Sequence, residues 1–133
     1  MKISFYTHCL PSLNSHGGAE TCFSLIKYFK SQGNEIILNI VGDTNEFNLS
    51  QSKKGEISDY CKKINIYKIP ERKNLIKSFI INPLNFFSPK KNYIFPSYDL
   101  EKNVLKDLEQ DKPDVIFIYH WIAAAPVLNS KIP

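Results

Sequence analysis

EIILNIVG, Glu35 to Gly42, is a nearly continuous apolar run. A strand with one face in water alternates apolar and polar residues, whereas an unbroken run fits a strand covered on both faces, as in parallel sheets flanked by helices. Upstream, KISFYT (2 to 7) has the length and composition of a second strand ending at a polar turn. Between the two, Cys22, Leu25, Ile26 and Phe29 recur at helical spacing, Lys27, Lys30 and Ser31 fall on the opposite face, and Gly33 stands where a helix would stop. Strand, helix, strand in this order is a βαβ unit. Downstream, INIYKIP (64 to 70) predicts a third strand closed by Pro70. A second helix is expected from about Tyr98 to Gln110, capped by Ser97 or Asp99, with Leu100, Val104 and Leu108 on one face and Pro113 preventing continuation. DVIFIYHW then supplies a fourth buried strand. The segment from Glu71 to Phe95 mixes the apolar stretch LIKSFII with Pro83, Pro89 and, just past it, Pro96, and a short helix among long loops is expected.

Alternating strands and helices predict an α/β, Rossmann-like, doubly wound parallel sheet. In the usual strand order 3-2-1-4 the first and fourth strands are neighbours, and a crevice opens beyond their carboxyl ends. The loop after strand one and the residues after strand four, His120 and Trp121, should meet there although more than a hundred positions separate them.

Composition sets bounds on function. The chain has 133 residues, 43% of them hydrophobic and 23% charged, as in an ordinary globular domain. No apolar run approaches the roughly 18 residues of a membrane span, and MKISFYTHCLP turns polar too early for a signal-peptide core, so a cytoplasmic location is expected. Cys9, Cys22 and Cys61 are odd in number and widely spaced, which argues against a disulfide framework or a zinc site. They are expected to be reduced thiols, with Cys22 in the core. The net charge of +4 is concentrated between Lys53 and Lys91, where ten Lys and Arg face three acids, a local +7 that leaves the remainder at −3. Such a block is either a solvated lysine surface or an attractor of phosphate groups. Within it, Arg72, Lys73, Lys77, Lys90 and Lys91 surround Leu75, Ile76, Phe79, Ile80, Phe86 and Phe87, so region 71–91 is a candidate for peripheral contact with an anionic inner membrane face; core packing is the alternative.

The first strand leads into NSHGGAET, Asn14 to Thr21. Gly17 and Gly18 open the first helix, where unpaired N–H groups and the dipole favour an anion and missing side chains let a phosphate approach. Alternatively the glycines serve only a tight turn. The stretch is neither G-x-G-x-x-G nor a P-loop, so neither a dinucleotide fingerprint nor a Walker motif is present. Glu20 is placed to interact favourably with the helix dipole or to touch a ligand. His8 and His16 flank the crevice and could donate hydrogen bonds to phosphate or sugar, or else are loop histidines without a function. His120 with Trp121 suits a sugar or headgroup platform, or else the Trp closes the core.

Four features in order, Pro11 followed by Gly17-Gly18-Ala19-Glu20, then Gly33-Asn34-Glu35-Ile36, then Pro113-Asp114-Val115-Ile116 through His120, resemble the amino-terminal half of the GT-B glycosyltransferases related to sucrose synthase and the bacterial phosphatidylinositol mannosyltransferases, family 4. The likeness covers both ends of the chain and is weak from about Asn45 to Phe95. It implies that residues 1–133 are a partial acceptor-side Rossmann-like domain, truncated before its last strands, of a retaining, metal-independent transferase. A nucleotide-sugar would be co-substrate rather than cofactor, a glycan or lipid-linked molecule the acceptor, and nucleic acid no partner. The resemblance implies that Gly17, Gly18 and Ala19 face the donor diphosphate and that His8, Ser15, His16, Glu20, His120 and Trp121 lie at the acceptor or cleft. The family's reaction-centre His and its carboxy-terminal donor domain would lie beyond Pro133, and His120 matches a different family position. The other class of function is a stand-alone Rossmann-like binding module without activity.

Overall fold

Strand β1 (Lys2–Thr7), helix α1 (Gly17–Ser31), strand β2 (Glu35–Gly42), the one-turn helix α2 (Gly55–Ser58) and strand β3 (Lys63–Lys68) follow one another along the chain. Helix α3 (Tyr98–Asp111), strand β4 (Val115–Ile118), the one-turn helix α4 (Trp121–Ala124) and a 3-10 turn (Ala125–Val127) complete the order. The computed structural model describes residues 1–13, 15, 17–42, 45, 48, 55–69, 98–128 and 130–133. The expected helix and loops of 71–95, the cap candidate Ser97, Pro70 and the basic region 71–91 lie outside the described residues.

The four strands form one all-parallel sheet in the order β3-β2-β1-β4. β1 pairs with β2 through Lys2 opposite Glu35 and with β4 through Ile3 opposite Val115. β2, like β1, has a neighbour on each side and helices above and below, which explains its apolar run: Ile36 to Gly42 are all buried. Side chains alternate across the sheet, so Ile3 and Phe5 share one face with Ile36, Leu38 and Ile40, where α1 packs through Cys22, Phe23 and Ile26. There the Phe5 ring stacks on Phe117 with centroids 5.0 Å apart, and Phe29 meets Phe117 edge-on at 5.2 Å. On the other face Tyr6 and Val41 pack with Leu100, Val104 and Leu108 of α3. Helices on both faces make this a doubly wound α/β sheet of Rossmann-like type.

α1 ends as Gly33 predicts. Gly33 has φ +77°, its N–H donates to the Lys30 carbonyl at 3.0 Å, and the Asn34 N–H reaches back to the Phe29 carbonyl at 3.3 Å. That pair of bonds is the Schellman closure, which needs a left-handed residue that glycine adopts without a Cβ penalty. Lys112 performs the corresponding turn after α3 with φ 46°, donating to the Leu108 carbonyl at 2.9 Å.

The third strand forms as expected, from Lys63 to Lys68. Two expectations need correction. Asp99 lies inside the first turn of α3 and is not its cap. β4 is not a buried strand: it borders β1 alone among the described residues, and its last residue, Ile118, is 40% exposed. Apolar composition reports the need for cover without saying whether the described chain provides it.

The sheet face under α3 also carries a polar row. The Asn39 amide donates to Ser4 Oγ at 2.8 Å, and the Asn65 amide donates to Asn39 Oδ1 at 2.9 Å, linking β1, β2 and β3 through side chains. Each buried polar group is thereby satisfied by its neighbour, and a register slip of one residue would separate all three. Farther along, the Lys63 ammonium donates to both carboxylate oxygens of Asp111 at 3.0 and 2.9 Å, and the Tyr67 hydroxyl donates to Asp107, tying α3 to the edge of the sheet.

Candidate functional site at the carboxyl edge of the sheet

The chain leaves β1 at Thr7, a wholly buried residue whose hydroxyl bends the backbone into the next loop. The Cys9 N–H donates to Thr7 Oγ1 at 3.4 Å, and that hydroxyl donates to the Cys9 carbonyl at 3.3 Å. Such a side chain ends a strand by offering the backbone a local partner. Leu10 and Pro11 then turn inward and are buried, and the Ser12 N–H donates to the Ala19 carbonyl at 3.4 Å. The loop is thus pinned beside the first turn of α1, and the amino end of that helix is held at the carboxyl edge of β1.

From the other side, β4 ends at Ile118, and the Tyr119 N–H donates to the Tyr6 carbonyl at 2.9 Å, extending the pairing by one residue. His120 follows in the turn before α4, where it meets His8: the two rings lie with centroids 4.0 Å apart and planes tilted by 37°. The expected convergence at the switch point therefore occurs, and it brings together two half-buried imidazoles separated by 112 positions in the chain.

Each expected site residue can now be placed. Gly17 and Gly18 form the first positions of α1. Neither glycine has a left-handed backbone, since the positive-φ glycine among the described residues is Gly33, so a tight left-handed turn is not what the pair serves. A Cβ added at Gly17 would meet nothing within 4 Å, so no atom among the described residues demands the glycine there. Ala19 is fully buried, its backbone included, so it presents no surface at the edge and the expectation that it faces a donor diphosphate is not met by its position. Glu20 lies in the first turn and is exposed, as a carboxylate interacting with the helix dipole should be. Ser15 is exposed beside them. Trp121 begins α4, and its side chain, like His16 as a whole, lies outside the described residues.

Sequence reasoning missed Thr7, the residue that shapes the loop. Its signal was weak, because a Thr at a strand end is common. Also missed was the α4 and 3-10 pair after His120, which seals the second core through Ala123 and Val127. Burial pushes the Cys22 thiol up to about 12, with the Thr7 hydroxyl opposing by a smaller amount. Burial likewise pushes Cys61 up to about 12. Among the described residues no three His, Cys, Asp or Glu side chains are grouped to hold a metal ion, and no helix is long and apolar enough to cross a membrane.

Compared with known protein families, with curated proteins and with solved structures, the chain matches none of them.

Proposed function

We propose that residues 1–133 are the acceptor-binding part of a nucleotide-sugar-dependent, retaining glycosyltransferase of the GT-B, family 4 type, acting in glycan, polysaccharide or glycolipid synthesis. The observation that carries the reading is the meeting of His8 and His120, rings 4.0 Å apart, at the carboxyl edge of β1 and β4 beside the helix that Gly17 and Gly18 open. Supporting it, each of the four motif segments occupies a structural role suited to that function. Pro11 is buried under the loop, GGAE opens α1, GNEI closes that helix and enters β2, and PDVIFIYH forms β4 and the turn that presents His120.

Glycosyl transfer breaks the bond between the sugar's anomeric carbon and the donor's diphosphate while the acceptor hydroxyl bonds to that carbon and loses its proton. Negative charge grows on the departing diphosphate. N–H groups of Gly17 and Gly18, together with the helix dipole, would stabilise that charge. His8, Ser15, His16, Glu20, His120 and Trp121 would line the acceptor side. Donor and acceptor must be held within near-attack distance, an effect that requires a second, donor-binding domain across the cleft. The reaction-centre His and the remaining strands of the acceptor domain would come with it.

Purified residues 1–133 should accordingly transfer no radiolabelled sugar from any nucleotide-sugar. The polypeptide extended by roughly two hundred native downstream residues, one further domain, should do so. Transfer by 1–133 alone, or failure of the extended polypeptide with every common nucleotide-sugar, would refute the proposal.

A further inference from the structure

The two segments that meet at the carboxyl edge share one compositional feature. Residues 3–19 and 115–130 contain no Asp, Glu, Lys or Arg, yet they hold all three histidines of the chain, His8, His16 and His120. Histidine is the side chain that ordinarily gains or loses its charge between about pH 5 and 8. The charge these segments bring to the edge is therefore set by protons rather than by fixed ions. His8 and His120 are both half-buried, and their rings meet with centroids 4.0 Å apart. His8 is held between Thr7 and Cys9, 0% and 1% exposed, by the hydroxyl bonds that bend the loop. The elements around the pair supply little opposing charge. α4, which packs against β1 and β2, has no charged residue, and the Lys2 of β1 stands at the opposite end of that strand. Glu20 in the first turn of α1 is exposed, and Asp43, directly after β2, lies outside the described residues.

We infer that the His8–His120 pair is a proton-gated binding site for an oxyanion, a phosphate group carrying two negative charges. Two imidazolium rings in contact repel each other, and the opposing charge that lets both hold their protons has to come from a ligand. An anion seated against the rings favours their charged form, and by reciprocity proton uptake favours the anion by the same factor. The positive end of α1 lies on the same edge and adds to the attraction for the anion, while opposing imidazolium in its absence. Affinity is accordingly high when the rings are protonated and is lost as pH rises through the imidazole range. With both rings neutral, each offers one N–H and no charge, which suits a hydroxyl and not a phosphate.

The choice of a phosphate group as the natural ligand rests on the proposed transferase cleft, whereas the proton linkage is tested without sugar transfer. Sulfate is the probe, because it stays a dianion throughout the imidazole range and any pH dependence then belongs to the protein. Residues 1–133 are titrated with sodium sulfate at constant ionic strength, and binding is followed through the histidine ring proton resonances. Sulfate should bind at least about 10-fold more tightly at about pH 5.5 than at about pH 8, shifting the resonances of both His8 and His120. His8→Gln and His120→Gln should each abolish that dependence. Equal affinity at the two pH values in the unaltered chain would overturn the inference, whatever the variants do. A dependence that survives both substitutions would place the protons elsewhere and overturn it as well. Proton-linked sulfate binding in a downstream-extended polypeptide that transfers no sugar would uphold the site and refute the transferase; sugar transfer without such binding would do the reverse.

Discussion

At the scale of single residues, the decisive question is what the glycine pair is for. The backbone of Gly18 is helical rather than left-handed, so a side chain there meets no backbone penalty of the kind Gly33 would impose. In the proposed full-length transferase Gly18→Val should change unfolding free energy by less than about 1 kcal/mol, since valine is at least as good a helix residue as glycine. Its effect on catalysis should be far larger. A β-branched side chain would hold the diphosphate away from the first-turn N–H groups, and interactions of this anion-stabilising kind are worth about 2.7 to 4 kcal/mol, a loss of a hundredfold or more in turnover. Urea unfolding and sugar transfer measured on the same preparation decide it. Wild-type turnover in Gly18→Val would mean that the pair has no contact with the donor.

Individual elements show how local sequence and packing divide the work. α1 is specified almost completely by its own residues: Glu20 in the first turn, an apolar stripe continued by Phe23, and the Gly33 closure. α3 has the same kind of stripe, with Leu100 7%, Val104 0% and Leu108 3% exposed, but closes on a residue with a Cβ. Lys112 at φ 46° stands directly before Pro113, and a left-handed residue other than glycine costs roughly 1 to 2 kcal/mol. Lys112→Gly removes that strain while adding about 0.4 to 1 kcal/mol of unfolded-chain entropy. The net result should be a gain of about 0.5 to 1 kcal/mol, seen as a higher midpoint of urea unfolding with an unchanged slope. A lower midpoint would show that the lysine side chain contributes contacts outweighing its backbone strain.

For the whole molecule, the buried acids that ionise only at high pH set an alkaline limit. Cys22 and Cys61 move from an ordinary value of 9.0 up to about 12, each chiefly because burial disfavours the thiolate. Burial also raises the Tyr6 and Tyr67 hydroxyls above their ordinary value of 10.0, with a hydrogen bond to Asp107 adding to the shift at Tyr67. In each case the unfolded chain loses its proton at a lower pH than the folded one. The stabilisation is therefore complete below about pH 9 and is lost as pH climbs toward 12. Cys22, wholly buried, should contribute a decline of up to about 1.4 kcal/mol per pH unit in that window. Melting temperature should hold steady from pH 7 to 8.5 and fall above pH 9, with a shallower fall in Cys22→Ala. A profile flat to pH 11 would contradict the burial of these groups. At the acid end, the hydrogen bond from Lys62 holds the Glu35 carboxyl below its ordinary value, but this exposed pair is too well solvated to shape the profile.

The sequence by itself determined the strand and helix periodicities, the stop at Gly33, the parallel order and the edge of the sheet at which any ligand would gather. Those are legible because they depend on repeats of two and 3.6 residues and on glycine's freedom of φ, all of which act over a few neighbouring positions. Tertiary structure alone decided that the His8 and His120 rings meet, that Thr7 folds the loop against α1, that Asn39 completes a polar row with Ser4 and Asn65, and that β4 stands half-exposed at the border of the described sheet. Each of these joins residues whose partners lie on other elements or on a neighbouring loop, or depends on where the sheet stops. An apolar run specifies that a strand must be covered. Only the packed chain shows which residues cover it, and at the outer edge of β4 the Ile116 N–H donates to the carbonyl of Pro133.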